Sequence, residues 1–173
     1  MNWIILAVAL ISLVYSLRSI QRGRYRLALA LILLGGLFLR LFMIGDGYLH
    51  TWDERFHALV AKNLMDAPLK PMLYASPVLP FDPTDWTCNH IWLHKQPLSL
   101  WSIAASLYCF GSNEIAVRVP SLIFSLLSIL LIYPISHHFF SRKVALLAAF
   151  FLSFFRLTVF YWNWLVEEQQ QTI

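Results

Sequence analysis

The sequence predicts an all-α, polytopic membrane protein, and three observations carry that prediction. The 173 residues are 59% hydrophobic and only 13% charged, where a soluble domain is about half apolar and a quarter charged. The apolar residues gather into long blocks rather than alternating along amphipathic elements. The basic residues gather between blocks, above all in RSIQRGRYR, which holds Arg18, Arg22, Arg24 and Arg26.

Five blocks stand out: Trp3–Leu17, Leu27–Ile44, Leu98–Phe110, Val117–Phe140 and Val144–Trp164. A helix that crosses a bilayer needs roughly 20 apolar residues, within about 17–25. The second, fourth and fifth blocks meet this alone. The first is slightly short, and the third reaches across only with flanking residues such as Pro97 and Gly111. About five spans are therefore expected. Met1 to Tyr15 has no basic leader and no small-residue cleavage site, so it reads as a membrane helix rather than a cleaved signal peptide.

Four arginines in one short loop mark a cytoplasmic face. The next helix then runs outward, and Gly45–Gln96 becomes a long outer loop. Simple alternation of five spans would put Arg142 and Lys143 outside as well, against the rule. Either the third block does not fully cross or this pair is an exception. The chain divides into residues 1–44 (two helices and the basic loop), 45–97 (the outer loop), 98–164 (further spans) and a polar tail, 165–173. The two cysteines, Cys88 and Cys109, have no zinc spacing and differ in setting, and no disulfide is expected between them.

The outer loop holds a helix-forming stretch, Asp53–Met65. Trp52, Phe56, Leu59, Val60 and Leu64 form one apolar stripe at spacings of three and four. Thr51 suits the N-cap and Glu54 the third position, the capping-box pattern. Too short and polar to span, this helix should lie in the membrane interface. Pro68, Pro71, Pro77, Pro80 and Pro83 then forbid a continuous helix. Trp86, Trp92 and Trp101 bracket the return to the bilayer as interfacial aromatics do.

Three constellations carry candidate chemistry. In the first, Asp53 and Glu54 stand beside His50 and His57. Acids in a first helical turn complement the helix dipole, which accounts for Glu54. Asp53, beside Trp52 at the membrane surface, is also suited to act as a general base on a hydroxyl or amine. Asp53 and His57 at i, i+4 share a helix face, and His90 and His94 could complete a divalent-metal set. In the second, IWLHKQPLSLW, Lys95 precedes Pro97 at the mouth of a helix. It either snorkels at the interface or binds a phosphate near the helix N-terminus. In the third, FGSNEIAVRVPS, Gly111 ends one helix, Ser112 or Asn113 caps the next, and Glu114 can pair with Arg118 at i, i+4.

In order and spacing, WDERFHALVAKNL, then HKQPLSLWSIAAS, then FGSNEIAVRVPS resemble the N-terminal part of C-type membrane glycosyltransferases over about residues 38–150. The nearest branch resembles the bacterial relatives of lipid A aminoarabinose transferase and protein O-mannosyltransferase. The resemblance implies transfer of a sugar from a polyprenyl-phosphate donor to a lipid or lipopolysaccharide acceptor at the outer, periplasmic face of a bacterial inner membrane. It implies that Asp53, with Glu54 beside it, matches the acidic residue of the first outer loop. Lys95 would then contact the donor phosphate, and His57 and His94 the substrate or a metal. No cofactor and no nucleic acid are implied. Relatives often carry an acid directly before the lysine, where this chain has His94. They are also longer, with a second acidic outer-loop motif after the span matching Val144–Trp164. Here that region reads FRLTVFYWNWLVEEQQQTI and does not match. The expectation is thus an incomplete unit, inactive alone. The other reading is a non-enzymatic membrane protein, either a remnant or a lipid-binding or assembly subunit.

Overall fold

The computed structural model describes residues 2–44, 49, 53–82, 84, 85, 88 and 91–154. Its elements are α1 (Asn2–Gln21), α2 (Tyr25–Ile44), α3 (Asp53–Asp66), α4 (Pro97–Phe110) and α5 (Glu114–Phe139), with a further helical stretch, α6, over 142–154. Among the described residues there is no strand. Thr51, Trp52, Trp86, His50, His90, the second half of the fifth block and the polar tail lie outside the described residues. The chain divides into two units, residues 1–45 with 122–173, and residues 46–121.

The first unit, the membrane unit below, holds two of the long apolar helices and most of a third. Trp3–Gln21, Tyr25–Phe42 and Glu114–Phe139 are long and apolar enough to cross a bilayer. The turn between α1 and α2 is a Schellman motif. Gly23 takes φ +71°, its N–H bonds Ile20 O at 3.1 Å, and Arg24 N–H bonds Ser19 O at 2.9 Å. Glycine suits that left-handed position because a Cβ would be strained there. The two helices then pack antiparallel through Ala9, Leu13 and Leu39. Gly35 lets them close up, since a Cβ there would stand 2.7 Å from Leu13 Cγ. In lipid such close backbone approach is a main source of helix association.

Within this unit α5 runs antiparallel to α2. Arg40, near the end of α2, donates Nε to Ser125 Oγ near the start of the α5 stretch in this unit. Ile129 stands against Gly36, one turn before Arg40, where a Cβ would lie 3.0 Å from its Cδ1, and Ala28, Ile32 and Ile129 share one buried cluster with Tyr25, Leu29, Ile132 and Tyr133 packed against it. A helix antiparallel to α2 begins on the side of the membrane where α2 ended, which requires an even number of crossings between them. Among the described residues the intervening apolar helix, α4, has 14 residues, or about 21 Å at 1.5 Å per residue, against a hydrocarbon core of about 30 Å. Phe140–Lys143 then fall at the same end of this unit as the α1–α2 turn, and Arg142 and Lys143 join Arg18, Arg22, Arg24 and Arg26. The apparent violation of the charge rule disappears.

The second unit is built on α3, α4 and the first turns of α5. Its core holds Val60, Ala61, Leu64, Leu73, Trp92, Leu100, Ile103, Ala104, Leu107, Ala116 and Val117. Pro97 opens α4 with Gln96 as N-cap, as its fixed φ and missing N–H favour. Gly111 at φ +82° ends α4. Asn113, one of the two expected caps, is the cap of α5, accepting from Ala116 N–H at 2.8 Å, and α5 starts at Glu114. Ser106 Oγ donates to Ala116 O at 2.6 Å, tying α4 to α5. The α3 stripe behaves in a way its periodicity does not specify. Val60 and Leu64 are buried against protein, while Leu59 is exposed on the other side. Helical periodicity gives an apolar face, and cannot say whether lipid or protein covers it.

Candidate functional site

The loop between α3 and α4 folds back on α3, and a few bonds hold it. Asn63 on α3 donates Nδ2 to Met72 O at 2.9 Å and to Leu73 O at 3.1 Å. Leu73 is fully buried. Trp92 N–H bonds Pro71 O at 2.7 Å, so the two ends of the proline-rich stretch meet. Trp101 Nε1 donates to Pro68 O at 2.7 Å and fixes α4 to the start of the loop. Prolines contribute carbonyls but no N–H groups. Side-chain donors from the flanking helices therefore take the place of a strand partner. Further out, Asp82 accepts from Thr84 Oγ1 at 2.7 Å and Thr84 N–H at 2.8 Å. These bonds, the side-chain one first, hold its carboxyl below the ordinary value of 3.8.

This fold-back gathers part of the expected site. His57, on the second turn of α3, packs edge-on against Trp92, with ring centroids 5.8 Å apart at 73°. Trp92 in turn meets His94 at 5.6 Å and 54°. Trp92 is 3% exposed, and its Nε1 is buried with no hydrogen-bond partner among the described residues. The indole thus bridges the N-terminal half of α3 to the His94–Lys95 corner, and Lys95 is half-buried beside it. Asp53 opens α3 one turn before His57 on the same face; its side chain lies outside the described residues. Among the described residues no group of three or more His, Cys, Asp and Glu is placed to hold a metal ion.

Glu54 has a different setting from its neighbour. Arg118 donates Nε to Glu54 Oε1 at 2.6 Å and Nη2 to Oε2 at 3.1 Å. Their side chains are 11% and 20% exposed, Arg118 the deeper. A two-point guanidinium–carboxylate fork of this kind is strong and directional. It corrects the expected Glu114–Arg118 pair: Arg118 reaches across to α3 rather than one turn back along α5. Glu54 thereby joins α3 to α5. Sequence reasoning missed Arg118 as the partner of Glu54 because the two are 64 positions apart, and a local i, i+4 partner was on offer. It also missed Trp92 as the bridge, reading it as an interfacial aromatic.

The family model of dolichyl-phosphate-mannose-protein mannosyltransferases matches residues 94–171, a little under half of the chain. His94, Lys95 and Arg118 fall inside the match, and Asp53, Glu54 and His57 precede it. The match also runs through most of the tail, which the resemblance read from the sequence had set apart. No curated protein and no solved structure matches the chain.

Proposed function

We propose that this integral membrane protein is a glycosyltransferase unit that takes a sugar from a polyprenyl-phosphate donor and passes it to a lipid or lipopolysaccharide acceptor. The reading places the basic end of the first unit in the cytoplasm and residues 45–97 at the periplasmic face of a bacterial inner membrane. The observation that carries it is the His57–Trp92–His94 bridge. It draws the start of α3, where Asp53 sits, towards the corner that carries Lys95, the second residue of the stretch matched by the mannosyltransferase family.

The chemistry is a single displacement at the sugar C1. The acceptor hydroxyl oxygen attacks C1 as its proton passes to the Asp53 carboxylate. The bond from C1 to the phosphate oxygen breaks, and the polyprenyl phosphate leaves with the electron pair. Lys95 offsets the charge on that phosphate. Glu54 is engaged by Arg118, so the base role falls to Asp53 and Glu54 holds α3 in register. His57 and His94 line the approach through their contacts with Trp92.

The test is donor binding by the purified chain, together with transfer by a full-length relative carrying the same residues. Lys95→Ala should weaken polyprenyl-phosphate binding by roughly ten- to a hundredfold, the loss of one charge-assisted contact. Asp53→Asn should leave binding intact and remove most turnover. Full turnover by Asp53→Asn would leave that acid with only its helix-dipole role.

A further inference from the structure

The second unit has a groove on the side of α3 turned away from the Asp53–His57 face. It encloses about 390 Å³. Leu49, Ala58, Leu59, Leu107 and Val117 make it apolar, and Arg55, Lys62, Ser112, Asn113 and Glu114 supply its polar edge. At 100° per residue, Arg55 and Lys62 fall within about 20° of each other on the helix, and roughly opposite Asp53. Two cations therefore share one rim, two turns apart, over an apolar floor. Both are exposed. Arg55 Nε donates to Leu49 O at 3.1 Å, which anchors the guanidinium at the groove. Among the described residues neither Arg55 nor Lys62 has a carboxylate partner.

We propose that this groove binds one anionic glycerophospholipid of the surrounding leaflet, with its phosphate between Arg55 and Lys62 and the first part of an acyl chain over Leu59, Leu107 and Val117. The charges select an anion, and the apolar floor selects one that carries hydrocarbon rather than free phosphate. A lysine gives a point charge and an arginine a fork, and both suit phosphate oxygens. Glu114 at the same edge disfavours a second negative charge, so a headgroup with a single phosphate fits best. The site is distinct from the proposed donor site because α3 stands between them, and it does not rest on that proposal.

The test uses the whole chain in bilayer nanodiscs of phosphatidylcholine with a minor fraction of spin-labelled phosphatidylglycerol. The wild type should hold a motionally restricted phosphatidylglycerol component, with spin-labelled phosphatidylcholine restricted less. Arg55→Gln and Lys62→Gln should each lower the preference about fivefold, as expected for one basic group near an anionic lipid. Ala58→Trp, which fills the groove without changing charge, should abolish it, and Glu114→Gln should strengthen it. Arg142→Gln should leave it unchanged. A preference that survives Ala58→Trp, or that falls equally with Arg142→Gln, would mean general attraction to the surface and overturn the proposal. So would displacement of the label by polyprenyl phosphate in wild type but not in Arg55→Gln, which would make the groove a prenyl-phosphate site. Lys95→Ala should not affect this signal, so failure here and failure of the donor-site reading are separable.

Discussion

The two units differ in how far their polar bonds reach. In the membrane unit the serines bond back to their own helices: Ser12 to Val8 O, Ser16 to Leu13 O, Ser19 to Tyr15 O, Ser128 to Phe124 O and Ser153 to Phe150 O. A hydroxyl in lipid has no water to turn to, and its nearest acceptor is the preceding helical turn. The loop unit has such local bonds too, as from Ser99 to Gln96 O and Ser102 to Ser99 O, and adds bonds of longer reach, joining Asn63 to Met72 and Leu73, Trp101 to Pro68, Ser106 to Ala116 and Arg118 to Glu54. The membrane unit is thus held by shape, with polar groups settled locally. The loop unit is held by a sparse polar frame around a small core. Arg40 is the exception that links the two styles. It is 8% exposed within a spanning helix, yet it bonds both its own Gly36 O at 2.8 Å and Ser125 on α5.

That contrast can be broken first at the ion pair. Arg118→Met leaves the Glu54 carboxylate largely buried without its fork, and removing one partner of a buried pair costs about 3 kcal/mol or more. Denaturant titration in detergent micelles should show the loop unit melting early while the membrane helices persist. A combined Glu54→Leu and Arg118→Met replacement should recover much of the loss, because no charge is then stranded. Equal loss in the double variant would show that the fork itself, not desolvation, dominates.

A smaller effect of opposite kind is expected at Gly35. Gly35→Leu pushes α1 from α2 at Leu13 and should cost about 2 kcal/mol, in the range for overpacking. Disulfide trapping between cysteines introduced at Ala9 and Leu39 should fall, with the Trp101-to-loop contact unchanged. Coupled loss in the loop unit would mean that the two do not respond independently.

Asn63→Ala removes two neutral hydrogen bonds, each worth about 1 kcal/mol net. Limited proteolysis should then cut faster within residues 67–82, with helix content nearly constant. An unchanged cleavage rate would shift the weight to burial of Leu73.

The smallest effect belongs to pH. Asp82 has a depressed folded-state pKa, so its bonds to Thr84 are fully present above the ordinary carboxylate value of 3.8 and are lost as pH falls through the lower folded value. Exchange of the Thr84 amide, corrected for its intrinsic pH dependence, should lose protection only in that acidic window. Loss nearer neutrality would point to another group.

The sequence by itself determined that the chain enters a membrane, which segments are helical, and where Pro97, Gly111 and Asn113 punctuate them. These follow from composition, local sterics and capping, which act over a few residues. It also made Asp53, Glu54, His57, His94 and Lys95 visible as chemistry out of place in an apolar chain. Tertiary structure decided that Arg142 and Lys143 fall at the same end of the first unit as the arginines of the α1–α2 turn, because that depended on α5 packing antiparallel to α2 through Ile129 and Ser125. It decided that Val60 and Leu64 meet α4 rather than lipid, since both partners reward the same stripe. It also separated Glu54 from Asp53, giving the former to Arg118. Adjacent acids on a helix point about 100° apart, and only the folded chain reveals what waits in each direction.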